Sequence, residues 1–219
     1  MKKNVLIVHY NTQELTDAAI RSLNRHTAGC DIKVFDNSDK RPFVNGFYNV
    51  KVIDNTQGQL IDFESELAKF PDKAPSENRY ASAKHCMSVD LCFRLLPDGF
   101  LLMDSDVVVK DDVTPFFDTR NMFAYIGMVK NHRCRFGVTL PRVLPFLCYI
   151  NVPMCHGHGI SYYNPNKMFA LSNRKPDMGY DTGCWFWEEC YRKGLVVNQL
   201  NIFDYIDHLG HGSWKGGVF

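Results

Sequence analysis

The segment that most constrains the fold is an apolar run that ends on two carboxylates. It reads Leu101-Leu102-Met103-Asp104-Ser105-Asp106-Val107-Val108-Val109. Aliphatic and β-branched residues in an unbroken run are typical of a strand buried on both faces, as in a parallel sheet. A buried strand does not end on two acids unless a cation or solvent meets them, because an unpaired buried charge is costly. The run therefore predicts a metal site or a solvated turn at this strand end.

Strand geometry favours the metal site. Alternation along a strand places Asp104 and Asp106 on one side and Ser105 on the other. Carboxylate oxygens suit Mg²⁺ or Mn²⁺, which complete their shells with water and substrate phosphates. In the alternative, the two acids belong to a solvated turn that continues through Lys110 and Asp111. We favour a site for a metal and a phosphate-bearing substrate, because the apolar run before the acids is uninterrupted.

Hydrophobic periodicity in the first half of the chain alternates strands with helices. The predicted strands are 4–9, 32–35 and 50–53, the predicted helices are 12–23 and 82–95, and 56–79 is a short helix or a loop. Such alternation predicts a mainly parallel sheet flanked by helices, in which ligands bind beyond the carboxyl ends of the strands. Asp36 and the two acids of the apolar run fall at that edge.

The second half is less regular. It predicts a strand at 122–129, a proline-rich stretch to Pro153, a loop over 156–180, a helix over 181–193 and a strand at 195–197. The favoured interpretation of Cys155-His156-Gly157-His158-Gly159 is a glycine-rich loop, with a soft-metal site as the alternative. We expect one α/β domain over residues 1–219, in which the halves 1–106 and 107–219 have different functions.

Composition excludes several classes of function. The 25 basic and 24 acidic side chains leave a net charge of +1, which provides no field for a nucleic-acid backbone. The longest apolar stretch, 143–154, is interrupted by prolines and is far shorter than the roughly 20 residues of a membrane span. Peripheral association with a membrane surface is compatible with this composition. Without a signal-peptide core at its start, the chain is expected to be cytoplasmic, with its eight cysteines as free thiols.

The order of these motifs resembles the GT-A nucleotide-diphosphosugar glycosyltransferases, most closely those of family two. The matching segments are Val5–Asn11, Val34–Ser38, Asp104-Ser105-Asp106, Tyr180-Asp181-Thr182-Gly183 before a helix that ends at Gly194, and a histidine-rich tail that begins at His208. The resemblance covers nearly the whole chain and is closest in the first half. It implies a Rossmann-like GT-A sheet in a single domain.

The resemblance also implies a donor site. The residues that would contact the nucleotide-diphosphosugar are His9, Tyr10, Asn11, Asp36, Asp104 and Ser105. Asp36 would accept a hydrogen bond from the base, and Asp104 would reach the ribose or a metal-bound water. An ordinary Asx turn is the alternative for Asp36, because Asp-Asn-Ser readily forms one.

Three residues would bind the metal, Mn²⁺ or Mg²⁺, by the same resemblance. Asp106 is the direct ligand, with Asp104 beside it and His208 completing the shell, while His211 is the rival histidine. A flexible C-terminal end is the alternative. The tail residues that would close over the sugar diphosphate are Trp214 and Lys215.

Inverting members of the family place a carboxylate just before a late helix, where it takes the proton of the acceptor hydroxyl. Asp181 occupies that position. The family commonly has two acidic residues there, whereas this chain has Tyr180-Asp181. The alternative is that Asp181 is the helix N-cap. Glu188 and Glu189, deeper in the helix, are the second choice of base.

The resulting hypothesis is a metal-dependent, inverting glycosyltransferase of surface polysaccharide or glycoconjugate synthesis. Its acceptor would be a glycan or a lipid-linked molecule, recognised by residues 130–180. The side chains proposed to contact the acceptor sugar are His156, His158, Tyr162 and Tyr163, and core packing is the alternative for the tyrosines.

Two other classes fit the acidic motif less well. In haloacid-dehalogenase-like phosphatases, Asp104 would be the nucleophile and Asp106 the acid/base, but that motif lies on the first strand and is followed by a second acidic site. A non-catalytic nucleotide-sugar-binding protein is also consistent with the pattern, because a fold does not fix an activity. Neither a GxGxxG nor a GxxxxGK[ST] pattern occurs, which argues against dinucleotide-binding proteins and P-loop NTPases.

Overall fold

The computed structural model describes residues 2–69, 77–118, 121–133, 139–168 and 180–210. The strands are β1 Lys3–His9, β2 Cys30–Asp36, β3 Val50–Asp54, β4 Phe100–Asp104, β5 Val107–Val109, β6 Tyr125–Gly127, β7 Val129–Arg133, β8 Thr139–Val143, β9 Leu147–Ile150, β10 Val197–Gln199 and β11 Ile206–His208. The helices are α1 Gln13–His26, α2 Phe63–Ala68, α3 Glu77–Leu95, α4 Pro115–Asp118, α5 Val152–Gly157, α6 Pro165–Met168 and α7 Cys184–Arg192, with a 3₁₀ turn at Ile202–Asp204.

A seven-stranded sheet of order β10-β6-β9-β4-β1-β2-β3 forms the centre of the protein. β1 pairs in parallel with β2 and β4, β2 pairs in parallel with β3, and β6 with β10. β9 runs antiparallel to both β4 and β6. The chain thus has the predicted α/β class and a mainly parallel sheet. Two antiparallel pairs, β5 with β11 and β7 with β8, lie outside it.

Burial on both faces explains the continuous apolar sequence of β4. Its residues alternate between two core layers: Phe100 and Leu102 face one layer, while Leu101 and Met103 face the other. The first layer contains α3, α5 and α7, and the second contains α1 and the 3₁₀ turn. Both layers contain residues from before and after position 106, so the two sequence halves share one core.

Several predicted boundaries differ from those observed. The helix predicted from residue 82 begins at Glu77, the strand predicted at 122–129 divides into β6 and β7, and the helix predicted over 181–193 begins at Cys184. The loop predicted over 156–180 contains the end of α5 and all of α6.

The glycine-rich loop predicted at 155–159 was wrong in its first part, because α5 continues through Gly157. The side chain of Asn151 accepts a hydrogen bond from the backbone N–H of Met154, and Pro153 occupies the first turn of the helix. Both features favour a helix start. The helix-start features at Asn151 and Pro153 therefore favour a helix more strongly than Gly157 and Gly159 disfavour one.

No helix among the described residues is both long enough and apolar enough to cross a lipid bilayer. The cysteines within those residues are present as thiols rather than disulfides, as predicted. They are also buried, and Cys134 lies outside the described residues. Burial raises the pKa of the Cys30 thiol to about 11 and that of Cys190 to about 12. These thiols are therefore poor nucleophiles, in keeping with a role in packing.

Candidate functional site

Asp104, Asp106 and His208 meet at the carboxyl end of β4. One ligand atom from each of the three side chains lies within 4.8 Å of the others. The Nε2 atom of His208 is 3.3 Å from Oδ1 of Asp106. The structure thus brings together the three residues that the sequence proposed as metal ligands. Among the described residues, no other group of three or more histidines, cysteines or acids has this proximity.

The antiparallel pair β5–β11 places His208 beside the acids. In its register, Ile206 lies opposite Val109 and His208 lies opposite Val107. The backbone N–H of Leu209 continues the ladder by donating to the carbonyl of Asp106 at 2.9 Å. Backbone pairing therefore sets the distance between His208 and Asp106.

Phe146, in the turn before β9, supports two of the three side chains. Its ring stacks on the imidazole of His208 with centroids 3.8 Å apart, and its carbonyl accepts the backbone N–H of Asp104 at 3.2 Å. Burial alone would lower the pKa of His208. The hydrogen bond and negative charge of Asp106, with the charge of Asp104, outweigh burial and raise that pKa above 6.5. His208 is thus held in an anionic environment.

The donor set of this site fits a divalent cation. Two carboxylates and one imidazole suit Mn²⁺, and carboxylates with water suit Mg²⁺. Ligand atoms that share such an ion at about 2.1 Å are at most about 4.2 Å apart. The observed limit of 4.8 Å is close to this value, so small side-chain adjustments suffice.

The sequence analysis missed His85, which faces Asp104 from α3. Its Nε2 atom lies 3.5 Å from Oδ1 of Asp104. Ser82, His85 and Ser88 form a polar row at three-residue spacing on α3. Ser82 donates a hydrogen bond to Asp181, and Ser88 accepts one from the side chain of Asn37. Three-residue spacing along one face of the helix is the sequence signal that identifies this row.

Asn11 joins the loop after β1 to the loop after β2. Its backbone has φ +55°. Its N–H donates to Oγ of Ser38, its Nδ2 donates to Asp39 at 2.6 Å, and its Oδ1 accepts the backbone N–H groups of Lys40 and Arg41. Asparagine tolerates this left-handed conformation better than most residues. Asn11 therefore orders both loops at the carboxyl edge.

Tyr10 and Ser105 line the same edge. The hydroxyl of Tyr10 donates to Asp39 at 3.1 Å, and the ammonium of Lys84 lies 5.7 Å from the Tyr10 ring centroid. The hydroxyl of Thr12 donates to Oγ of Ser105 at 3.3 Å. The predicted nucleotide-contacting loop and the acidic motif are thus adjacent.

Asp36 and His9 are buried beneath these loops. The Asp36 carboxylate accepts the backbone N–H of Ser38 through one oxygen, which is the contact of an Asx turn, and that of Phe43 through the other. His9 is fully buried, and its Nδ1 lies 2.7 Å from the Thr16 hydroxyl. The structure therefore places both side chains beneath the loops after β1 and β2 and away from solvent.

Asp181 lies in a polar cluster with Arg142 and Ser82. The Arg142 guanidinium donates to Oδ2 of Asp181, while Oδ1 accepts from the Ser82 hydroxyl and from the Thr182 backbone at 2.8 Å each. The N-cap alternative was wrong, because Gly183 occupies the N-cap of α7. Arg142 was missed by the sequence analysis, and its signal is a single cation in an apolar stretch.

The remaining candidates lie on α7 and in the core. Glu188 pairs with Arg192 at 2.6 Å and also accepts the Tyr180 hydroxyl. Glu189 is partly buried on the same helix. Tyr162 is 1% exposed and packs on Phe186, so the core-packing alternative is correct for that tyrosine.

Tyr163 is partly buried, whereas His156 and His158 are exposed near the end of α5. The ring of His156 packs edge-to-face against Phe93. The soft-metal alternative for this segment has no supporting cluster among the described residues. His211, Trp214 and Lys215 lie outside the described residues.

No protein-family model and no curated protein matches the sequence. Solved structures do match. The galactosyltransferase LgtC, solved with donor and acceptor sugar analogs, is 16% identical, and the match covers 91% of this chain and 73% of LgtC with a TM-score of 0.54. Mouse xyloside xylosyltransferase 1 in its apo form is 11% identical, with coverages of 92% and 86% and a TM-score of 0.56.

These similarities show the fold. The chain has the GT-A fold of nucleotide-diphosphosugar glycosyltransferases, with its mainly parallel sheet and flanking helices. The resemblance expected from the sequence is thereby confirmed at the level of fold.

Proposed function

We propose that the protein is a metal-dependent glycosyltransferase that transfers a sugar from a nucleotide-diphosphosugar to an acceptor hydroxyl. One observation carries the proposal: Asp104, Asp106 and His208 converge at the carboxyl edge of a GT-A sheet. Ligands of open α/β sheets bind at that edge. The donor set found there suits Mn²⁺ or Mg²⁺, the ions that bind substrate phosphates.

Asp104, Asp106 and His208 would hold the cation. The cation would supply Lewis-acid stabilisation of the diphosphate leaving group. Phe146 keeps the His208 ring in place by stacking, and the β5–β11 pairing fixes its distance from Asp106. These contacts orient the ligands before any substrate arrives, which lowers the cost of binding.

The loops after β1 and β2 would hold the nucleotide. Tyr10 and Asn11 lie at the edge, partly exposed and tied to Asp39, and Ser105 lies next to Thr12. His9 and Asp36 would act from below by fixing the loop backbone, rather than by the direct contact with the base expected from the resemblance. Their buried hydrogen bonds support that indirect role.

Asp181 is the proposed catalytic base of an inverting reaction. It is partly buried and precedes α7, as the resemblance requires. It accepts a hydrogen bond from Ser82, one turn of α3 from the histidine that faces Asp104. To take a proton, its carboxylate needs an oxygen that faces the acceptor hydroxyl within about 3 Å. The hydrogen bonds from Ser82 and Arg142 hold the carboxylate in one orientation.

The two sequence halves would have different functions. Residues 1–106 contribute the loops after β1 and β2 and the acidic motif. Residues 107–219 contribute His208 to the metal cluster and Asp181 on the expected acceptor side. A glycan or lipid-linked acceptor in surface polysaccharide or glycoconjugate synthesis fits this division. A lipid-linked acceptor would bring the cytoplasmic protein to a membrane surface by peripheral contact.

A donor assay tests this proposal. The protein is incubated with UDP-, GDP- and dTDP-sugars, with Mn²⁺, Mg²⁺ or EDTA, and release of the nucleoside diphosphate is measured. We expect turnover of one donor that requires metal and falls at least about 100-fold in Asp106→Asn. Asp111→Asn, an exposed acid in the following turn, is the matched control and should retain activity.

Two outcomes would count against transfer. Metal-dependent nucleotide binding without release or transfer of sugar to any sugar or lipid-linked acceptor would identify a non-catalytic binding protein. Full activity in EDTA and in Asp106→Asn would exclude the metal site as the source of catalysis.

A further inference from the structure

Arg142 has more hydrogen-bonding capacity than its observed contact uses. Its Nη1 atom donates to Oδ2 of Asp181, and its side chain is 19% exposed. Within the part of the chain that the structure describes, the guanidinium donates to no second acceptor. A guanidinium carries several N–H donors in a rigid planar fork. Arg142 can therefore bind a further anion.

Asp181 is the more saturated member of the pair. Its Oδ1 already accepts from the Ser82 hydroxyl and from the backbone N–H of Thr182. These two donors come from α3 and from the segment before α7, so they hold the carboxylate without help from Arg142. Loss of Arg142 would thus release Oδ2 while the carboxylate stays in place.

The pair lies beside the metal cluster. Asp181 accepts a hydrogen bond from Ser82, which lies one turn of α3 from His85, and the Nε2 atom of His85 is 3.5 Å from Oδ1 of Asp104. Backbone packing fixes this location, because the N–H of Val143 donates to the carbonyl of Gly183 at 3.4 Å. β8 and the start of α7 therefore carry the two members of the pair together.

The charge balance of the site favours an additional cation for the donor. Asp104 and Asp106 are negative, and a nucleoside diphosphate adds at least two negative charges. A divalent ion offsets only part of that total. The fork of an arginine matches two phosphate oxygens, and such charge-assisted hydrogen bonds are among the strongest in proteins.

We propose that Arg142 recognises the donor diphosphate by exchanging partners, from Asp181 in the ligand-free protein to a phosphate oxygen in the donor complex. The exchange frees Oδ2 of Asp181 for the acceptor hydroxyl only after the donor is bound. Donor binding therefore precedes productive acceptor binding. This inference rests on the proposed function, and it assigns both a diphosphate contact and an order of events.

Calorimetric titration tests the exchange. UDP, GDP, dTDP and inorganic pyrophosphate, each with Mn²⁺, are titrated into the wild type, Arg142→Gln, Arg142→Lys and Asp181→Asn. We expect Arg142→Gln to raise the Kd of the bound diphosphate at least about tenfold, and Arg142→Lys to raise it about threefold. Asp181→Asn should leave the Kd within about twofold or lower it, because it removes the competing partner.

Arg21→Ala is the matched control. Arg21 pairs with Asp17 on the surface of α1 at 3.3 Å, so its loss removes an Arg–Asp pair far from the acidic motif in sequence and should leave the Kd unchanged. Thermal melting of every variant establishes that it is folded. If Arg142→Gln does not fold, Arg142→Lys alone decides, since it keeps the charge but loses the fork.

An unchanged Kd in the folded arginine variants would overturn the exchange, as would an equal rise in Asp181→Asn, which would indicate a purely structural ion pair. Both results leave the proposed function intact, because the wild type still binds. Absence of binding of all four probes by the wild type would overturn the exchange and the proposed donor site together.

Discussion

Asp106 and His208 are distant in the chain, yet their side chains are 3.3 Å apart. The acidic motif could be predicted because two acids at the end of an uninterrupted apolar run need a cation or solvent beside them. The partner of that motif could be assigned only by resemblance, since nothing local marks His208 as a ligand. Arg142 was missed because it is a single cation within a hydrophobic segment. His85 was missed because only its three-residue spacing from Ser82 and Ser88 distinguishes it from the other polar residues of α3.

Loss of one metal ligand should weaken the site without unfolding the protein. We expect His208→Gln to reduce Mn²⁺ affinity by about 100-fold, because an imidazole ligand is replaced by a weaker amide oxygen. Electron paramagnetic resonance of free Mn²⁺ at constant pH measures this affinity. His158→Gln, at an exposed histidine, is the control. Wild-type affinity in His208→Gln would remove His208 from the site.

The buried His9 side chain should make the folded protein less stable in acid. Burial lowers the pKa of His9 below 6.5 and outweighs the charge of Asp36. The unfolded chain therefore binds a proton that the native protein does not, between the folded pKa and 6.5. The contribution of His9 is fully present above pH 6.5 and is lost as the pH falls through that window.

Thermal melting between about pH 7.5 and pH 5 checks this sign. His9→Asn should lose less melting temperature over this range than the wild type, since the titrating group is absent. His26→Asn, at an exposed position near the end of α1, should keep the wild-type slope. A steeper acid loss in His9→Asn would contradict the account.

Among the elements, strands buried on both faces were the easiest to predict. β1 and β4 have continuous apolar stretches, and that of β2 is interrupted only by Lys33. The predicted segments fall within or close to the observed strands. β6 and β7 were merged because they follow each other almost directly, and only their different pairing partners separate them. Pairing is a long-range property that a local pattern does not record.

Gly183 fixes how α7 begins. Its φ is +84°, and a Cβ at this position would lie 2.2 Å from the carbonyl oxygen of Val143. We expect Gly183→Ala to lower the free energy of unfolding by about 3 kcal/mol, from left-handed strain and a clash with backbone. Asp181, two residues earlier, would shift with it. Urea denaturation measures the change.

Gly194→Ala is the matched substitution for this prediction. Gly194 has φ +64°, and a Cβ there would meet no atom within 4 Å. Gly194→Ala should lower the free energy of unfolding by only about 1 kcal/mol, which is the strain of the left-handed conformation. Equal losses at the two glycines would show that the contact with Val143 does not matter.

At the scale of the whole molecule, one edge of the sheet gathers side chains from distant segments. The loops after β1 and β2, the acids after β4, the polar row of α3 and the end of β11 all meet there. The parallel topology explains this, because strands that run in one direction end at one edge. The mainly parallel sheet could be predicted from the strand–helix alternation, whereas the strand order, the antiparallel β9 and the contributions of α3 and β8 required tertiary contacts.

The most direct test of the central claim is nucleotide binding that depends on the metal cluster. UDP, GDP and dTDP are titrated with and without Mn²⁺ while the melting temperature is followed, in the wild type and in Asp106→Ala. We predict that one nucleotide at about 100 times its Kd raises the melting temperature by about 5 °C or more, only with Mn²⁺ and only in the wild type. No shift with any nucleotide, or a shift that persists without metal and in Asp106→Ala, would contradict the account.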